Sequence, residues 1–407
     1  MRVLILGAGP AGITAARSLL ELAPARALEP DITIVSGEPF PPYSPPAMAD
    51  HFLHGRDASL YWLGEDICDR LGVDYQSGIG VRSVDTEHQS VILDDDGELD
   101  YDRLVIATGS RLYAPIDGYD LPGVYNFKSL TAARELVEHA QRGEVRSALI
   151  VGAGFIGVEV ALLLDALGLD VTMIQRRWVM PRMLDPETAG LVLEELQRRG
   201  ITVVQNTEVT RFVGKERATG VELQDGQTVT ADAYVAATGV KPNVDFLAGS
   251  GLDIGWGIYV DNRMRTNCPN VWAAGDVAET IDRLSGRRFV HAIWPNARAQ
   301  GEVVARDVLG YAADYEGAER MNSMKHLGLP IMAVGEAEGQ QELRWRQGDQ
   351  LRKIFLSDGR IVGFRLAGDI RGAGAYRALL LRGSDVSSFG AALLDPNFAL
   401  TRCVSSS

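Results

Sequence analysis

The chain is poor in cysteine, and what it has is scattered. Cys68, Cys268 and Cys403 form no close pair and fall at no metal-ligand spacing. That leaves neither a disulfide scaffold nor a zinc site, so no metal is expected, and it fits a reducing cytoplasm. Positive charge is also short, with a formal net charge of −14. A nucleic-acid surface needs the opposite sign, so such a partner is excluded. Long uninterrupted apolar runs are missing. The most apolar stretch, residues 148–169, is broken by glycines, Glu159 and Asp165. It reads as a strand and a helix, not as a membrane span. No leader is expected ahead of a first strand that starts at residue 2 or 3. A chain of 407 residues should fold as two or three domains.

What the chain does have is one glycine pattern, twice. Val3-Leu4-Ile5-Leu6-Gly7-Ala8-Gly9-Pro10-Ala11-Gly12 is matched by Ala148-Leu149-Ile150-Val151-Gly152-Ala153-Gly154-Phe155-Ile156-Gly157. In each, a buried-strand pattern leads into a helical one, the context that gives the motif its meaning. The first glycine allows the tight turn, the second lets backbone approach a pyrophosphate, and the third lets helix pack on strand. The pyrophosphate then sits on the helix amides and the positive end of the helix dipole. Later signals repeat as well. A turn at Asp96-Gly97 precedes Leu104-Val105-Ile106-Ala107-Thr108-Gly109, and one at Asp225-Gly226 precedes Tyr234-Val235-Ala236-Ala237-Thr238-Gly239. The repeat is too long for a solenoid and means duplicated domains.

The fold class is therefore α/β, with two Rossmann-like dinucleotide-binding domains and a small α+β C-terminal domain. The expected boundaries are 1–115 with 246–312 for the first domain, 116–245 for the second, inserted into it, and 313–407 for the third. In the third, strands are expected over 331–334, 351–355 and 361–366, and helices near 373–382 and 385–394.

Both fingerprints, both Ala-Thr-Gly strands, Thr238-Gly239-Val240-Lys241-Pro242-Asn243 and Ala273-Ala274-Gly275-Asp276-Val277 together resemble the pyridine nucleotide-disulfide oxidoreductase superfamily. The pattern is nearest to its rubredoxin and ferredoxin reductase branch. The resemblance implies FAD at the first fingerprint, on Gly7, Gly9, Pro10, Ala11 and Gly12, with Ala107, Thr108 and Gly109 beside it. It implies Gly275 and Asp276 at the ribityl and phosphate region, and Trp294 and Pro295 at a helix N-terminus aimed at the flavin pyrimidine. There negative charge develops on reduction. NAD(H) or NADP(H) is implied at Gly152, Gly154, Phe155, Ile156 and Gly157, with Thr238 and Gly239 nearby. Phe155 and Glu159 match the family's aromatic gate and its nicotinamide glutamate, or else they are a packed ring and a helix-surface acid. His291, Lys325 and His326 are flavin neighbours or plain surface residues.

A second Rossmann strand usually ends in an acid that holds the adenosine ribose. For FAD the position is Ser36, with Glu38 two residues on as ribose ligand or loop carboxylate. In the second domain it is Gln175, followed by Arg176 and Arg177. Loss of the acid removes repulsion from a 2′-phosphate and an arginine can pair with it, so the chemistry leans towards NADPH. Gln175 can still bond a ribose hydroxyl.

The family's redox cysteine is absent. In Tyr43-Ser44-Pro45-Pro46-Ala47-Met48, Pro46 stands where it would fall, and Asp50 stands where the ferredoxin reductases often carry a lysine. Without a thiol relay the flavin must exchange electrons directly with the second substrate. The resemblance implies an iron–sulfur, rubredoxin or ferredoxin-type carrier, or a subunit of that kind in a larger complex oxidising aldehydes, 2-oxoacids or CO. A homodimer is compatible with it. The alternatives are a flavoenzyme reducing O₂, peroxide or a quinone, and a dinucleotide-binding redox sensor. Replacing Cys68, Cys268 and Cys403 together with Ser should leave flavin reduction by NAD(P)H within a few-fold of the parent. A thiolate-to-flavin charge-transfer band in the two-electron-reduced protein would contradict that expectation.

Overall fold

The computed structural model describes residues 1–324 and 326–398. The chain divides into two compact units. The first holds residues 1–112, 126–135 and 240–319, and the second holds residues 113–125, 136–239 and 320–407.

In the first unit a five-stranded parallel sheet runs Val271–Ala273, Arg103–Ile106, Arg2–Leu6, Asp31–Ser36, Asp74–Ser77. The fingerprint strand lies at its centre. Val3 to Leu6 are apolar and all buried, in one core with Ile13 and Val304 of two helices and with Val84, Val91 and Leu93 of a three-stranded antiparallel sheet. Helix Pro10–Leu22 follows, and helix Trp294–Val308 packs across it. The crossing is close because Gly301 has no side chain: a Cβ there would lie 2.4 Å from the Ala11 carbonyl oxygen.

The second unit repeats the plan. Its parallel sheet runs Thr202–Gln205, Asp170–Gln175, Ser147–Val151, Ala233–Ala236, Val124–Tyr125. Again the fingerprint strand is central, between the second strand and the Ala-Thr-Gly strand. The hydrogen bonds match as well. Gly7 N donates to Val35 O at 2.7 Å and Gly152 N to Ile174 O at 2.8 Å. Ala107 N and Ala237 N each donate to the end of the fingerprint strand at 2.7 Å.

The second unit also carries the C-terminal antiparallel sheet, in the order Met321–Met324, Ile331–Gly335, Arg360–Ala367, Gln350–Ser357, Gln341–Gln347. Three of these strands were legible as apolar runs. The two edge strands were not, because Gln341–Gln347 (QELRWRQ) is polar almost throughout and faces solvent. Helix Ala373–Arg382 forms as expected, but the helix expected over 385–394 is only a short 3₁₀ turn, Gly390–Leu394. No helix of the described residues is long and apolar enough to cross a membrane.

The third fingerprint glycine holds each strand–turn–helix together. A Cβ on Gly157 would sit 2.2 Å from Gly152 O, while one on Gly154 would meet nothing within 4 Å. Gly157→Ala should therefore lower the stability of the ligand-free protein by about 1–3 kcal/mol. Gly154→Ala should leave it nearly unchanged. Thermal denaturation of both variants checks the contrast.

Candidate functional site

Each fingerprint turn builds an anion cradle from backbone alone. Gly7 and Gly152 sit at φ +108° and +104°, in the left-handed range that favours glycine. A Cβ on either would drive into the neighbouring strand end, 2.2 Å from Ala107 O or 2.4 Å from Ala237 O. Gly12 mirrors Gly157, its Cβ position 2.0 Å from Gly7 O. Gly9 and Gly154 differ: each is the N-cap of its helix, with open space where a side chain would be. Neither helix has a side-chain cap, so the first-turn amides stay available to an anion. The crowding at two glycines and the space at the third are what a bound pyrophosphate requires at both places.

Around the first cradle the predicted residues converge. Thr108 and Gly109 are tied to Asn243: Thr108 Oγ1 donates to Asn243 O at 3.0 Å, Asn243 Nδ2 to Thr108 O at 2.8 Å, and Asn243 N to Gly109 O at 3.0 Å. Gly275 takes φ +79° and donates its amide to Gln300 Oε1 at 2.7 Å, which turns Asp276 out of the sheet. Asp276 is half-buried and accepts from Ser110 Oγ at 2.9 Å. The Lys128 ammonium also bonds both Asp276 and Ser110. Lys128 lies in no recognisable motif and was missed; nothing in Asn126-Phe127-Lys128 marks it.

Ser36 and Glu38 lie at the end of the second strand. Glu38 is neither a loose loop carboxylate nor wholly free for a ligand. Its Oε2 accepts from Tyr43 Oη at 2.6 Å, and its Oε1 from Thr131 N at 3.1 Å and Thr131 Oγ1 at 3.0 Å. Burial, and next the Glu38 charge, push the Tyr43 phenol well above its ordinary value. Trp294 opens helix Trp294–Val308 with Pro295 in its first turn. Its ring meets Trp62 edge-on at 5.0 Å, and its indole Nε1 is buried with no hydrogen-bond partner among the described residues. Trp62 was also missed. His291 Nε2 lies 3.0 Å from Asp282 Oδ2, in a buried pair.

At the second cradle, Phe155 and Glu159 are one turn apart on helix Phe155–Ala166, so they share a face, and both are half-buried. Ile156 lies beside them, also half-buried. Thr238 donates to Tyr113 O at 2.7 Å, and Gly239 follows it. Gln175 does not extend freely towards a ribose. Its Oε1 accepts from Ala153 N at 3.1 Å and its Nε2 donates to Trp178 O at 3.4 Å. Arg176 and Arg177 are exposed, and Arg176 is 3.4 Å from Glu208.

Neither described cysteine has the character of a thiol relay. Cys68 is buried in the apolar core, and burial raises its thiol to about 11. Cys268 is half-buried and its Sγ faces Gly251 O at 3.5 Å. Cys403 and Lys325 lie outside the described residues. No group of three or more His, Cys, Asp or Glu among the described residues is placed to hold a metal.

Comparison with known proteins agrees with this geometry. The model of the pyridine nucleotide-disulphide oxidoreductase family matches residues 1–301, and the chain belongs to that family. It is 29% identical over 400 residues to an NADH oxidase of Methanocaldococcus jannaschii, covering 91% of this chain and 88% of that protein. It is 30% identical over 406 residues to the assimilatory nitrate reductase electron transfer subunit of Bacillus subtilis. That match covers 97% of this chain but 51% of the relative, so the chain spans about half of that protein. A ferredoxin reductase from Rhodopseudomonas palustris superposes with a TM-score of 0.86 at 27% identity, covering 99% of each chain. The chain is an FAD-dependent NAD(P)H oxidoreductase.

Bulk at Gly9 would fill the cradle, and loss of the Asp276 carboxylate would strand Lys128. Gly9→Val and Asp276→Ala should purify with little flavin, read from the visible absorbance. Full occupancy in both would remove the first fingerprint as the FAD site.

Proposed function

We propose that this protein exchanges electrons between NAD(P)H and a one-electron protein carrier, a ferredoxin, rubredoxin or iron–sulfur subunit. The observation that carries the reading is the missing thiol relay: Pro46 stands at the family's redox position, and Cys68 is buried with its thiol raised to about 11. The names of the ferredoxin reductase and of the nitrate reductase electron transfer subunit support it. FAD, once held, would supply hydride exchange with a nicotinamide and one-electron release, chemistry that belongs to the cofactors rather than to side chains.

The residues have positioning and electrostatic roles in this reading. Gly7, Gly9, Pro10, Ala11 and Gly12 take the FAD pyrophosphate, Asp276 with Lys128 and Ser110 orients its ribityl and phosphate region, and Ser36 with Glu38 frames its adenosine ribose. Trp294, Pro295 and the helix they open would lie at the flavin pyrimidine, where a positive helix end would stabilise the charge of reduction. Gly152, Gly154 and Gly157 would take the second dinucleotide, and Phe155 and Glu159 would serve as the aromatic and the acid at its nicotinamide. Residues 1–115 with 246–312 form the FAD domain in this assignment, 116–245 the NAD(P) domain and 313–407 the domain nearest the carrier. The unpaired cysteines favour a cytoplasmic location.

The dinucleotide preferred is NADPH. Gln175 is spent on Ala153 and Trp178, no acid stands at the strand end, and Arg176 and Arg177 are exposed beside it. The second reading is a small-molecule reductase acting on O₂, and the relative named NADH oxidase favours it. Stopped-flow reoxidation of the NADPH-reduced protein separates the two. Reoxidation by rubredoxin or ferredoxin should outpace that by O₂ by at least about tenfold, a difference of ~1.4 kcal/mol in barrier. Equal or faster reoxidation by O₂ would replace the carrier reading with the second.

A further inference from the structure

The C-terminal sheet carries buried cations where apolar residues are the norm. On strand Gln350–Ser357, Lys353 is paired in register with Arg365 on one side and Arg344 on the other. Side chains of paired residues share a face, so three cations stand in a row. Lys353 is 7% exposed, and Arg365 is fully buried, its guanidinium donating only to the carbonyls of Val334, Phe364 and Gly335. The opposite face, with Phe364 and Leu366, packs under helix Ala373–Arg382.

Two of the Lys353 counter-charges, Asp185 and Glu187, come from the nucleotide-binding part of the same unit, and the third, Glu342, from the sheet itself. Lys353 Nζ lies 2.7 Å from Asp185 Oδ1, 3.0 Å from Glu187 Oε2 and 3.4 Å from Glu342 Oε1. Arg344 Nε donates to Glu187 at 2.9 Å, and Arg346 lies 3.3 Å from it. The Arg344 guanidinium, with Lys353 behind it, pulls the Glu187 carboxyl down to about 2. Burial works against the Lys353 ammonium, but Asp185 and Glu187 outweigh it and hold its pKa above the ordinary lysine value.

Asp185 is the N-cap of helix Pro186–Arg198, accepting from Glu187 N at 3.2 Å and Thr188 N at 3.3 Å. It also ends the loop that begins with Arg176 and Arg177. That loop is pinned at its start by Gln175 on Ala153. It is pinned at its middle by Met180 N on Ala153 O at 2.8 Å and by Trp178 Nε1 on Leu184 O at 3.0 Å. Its far end rests on the C-terminal sheet, through Met183 against Asn322 and Asp185 against Lys353.

We propose that Lys353 is a positioning residue for dinucleotide selection: by holding Asp185 it fixes the end of the 176–184 loop, so that Arg176 and Arg177 meet the 2′-phosphate. This rests on the reading of the two arginines as phosphate ligands. It also ties a residue of the carrier-side domain to the affinity for the electron donor. Lys353 touches no nucleotide in this account. Its removal leaves the Asp185 carboxylate without its cation, held only by the Glu187 and Thr188 amides and the Thr188 hydroxyl, and the loop loses one of its two ties to the C-terminal sheet.

The test uses the full chain with FAD bound. Adenosine 2′,5′-bisphosphate and 5′-AMP are titrated by calorimetry, and flavin reduction by NADPH is followed by stopped flow. Lys353→Met should weaken the bisphosphate by about tenfold or more, since small misplacements are costly. 5′-AMP should change little, and the limiting reduction rate should stay within about twofold. Lys353→Arg should restore most of the affinity, which mere disruption of packing would not. If Lys353→Met fails to fold, Asp185→Asn serves, because it keeps the cap while weakening the ion pair, and should shift affinity the same way. Unchanged bisphosphate affinity in a folded variant, or equal losses for both probes with no rescue by arginine, overturns the proposal. The combined Arg176→Ala and Arg177→Ala variant is the control. If it loses no affinity, the phosphate reading fails by itself. If it loses affinity while Lys353→Met does not, only the positioning role fails.

Discussion

The protein depends on one close approach, made twice: the third fingerprint glycine against the carbonyl of the first. With Cβ positions 2.0 Å from Gly7 O and 2.2 Å from Gly152 O, only glycine lets the helix start so near the end of its strand. That approach fixes where the uncapped helix amides point. It also leaves Gly9 and Gly154 at the rim of an open space. The same economy recurs where Gly301 lets helix Trp294–Val308 cross Ala11, while the Gly275 turn comes close to Ala11 as well. A β-carbon at Gly12, Gly157 or Gly301 must displace backbone, and backbone in a packed interior cannot yield cheaply.

On this shared frame the chain has lost one part of its family's chemistry and kept the rest. Disulfide chemistry needs an accessible, low-pKa thiol beside the flavin. The position holds proline, and the nearest buried thiol is pushed the wrong way. What the first unit offers instead is fixed charge and aromatic surface: Lys128 with Asp276 and Ser110, and Trp62 against Trp294. These groups can orient a cofactor and stabilise charge, but none is a thiol that could relay electrons to a disulfide.

The second unit balances buried charge across its own parts. Lys353 and Arg365 would be costly to bury alone, and a buried pair is a weak source of stability in itself. Its value lies in specificity of placement. Asp185 serves both as a helix cap and as the partner of Lys353, so a loop end, a helix start and a sheet face are set together.

The amino-acid sequence by itself determined the duplicated architecture, the two cradles and the absence of a thiol relay. Those features are local: a strand, a glycine turn and a helix follow one another within a dozen residues, and their periodicity is written along the chain. Two of the C-terminal strands were illegible because an exposed edge strand needs no apolar pattern. The partners of single side chains were illegible for a different reason. Whether Gln175 faces a ribose or Ala153, whether Glu38 is loose or held by Tyr43 and Thr131, and that Lys128 reaches Asp276 are decided by contacts that, Glu38 with Tyr43 apart, span 22 to 148 residues. No local rule encodes such contacts. Only the packed fold brings those groups within hydrogen-bonding distance, and a buried polar group takes the partner that the fold supplies.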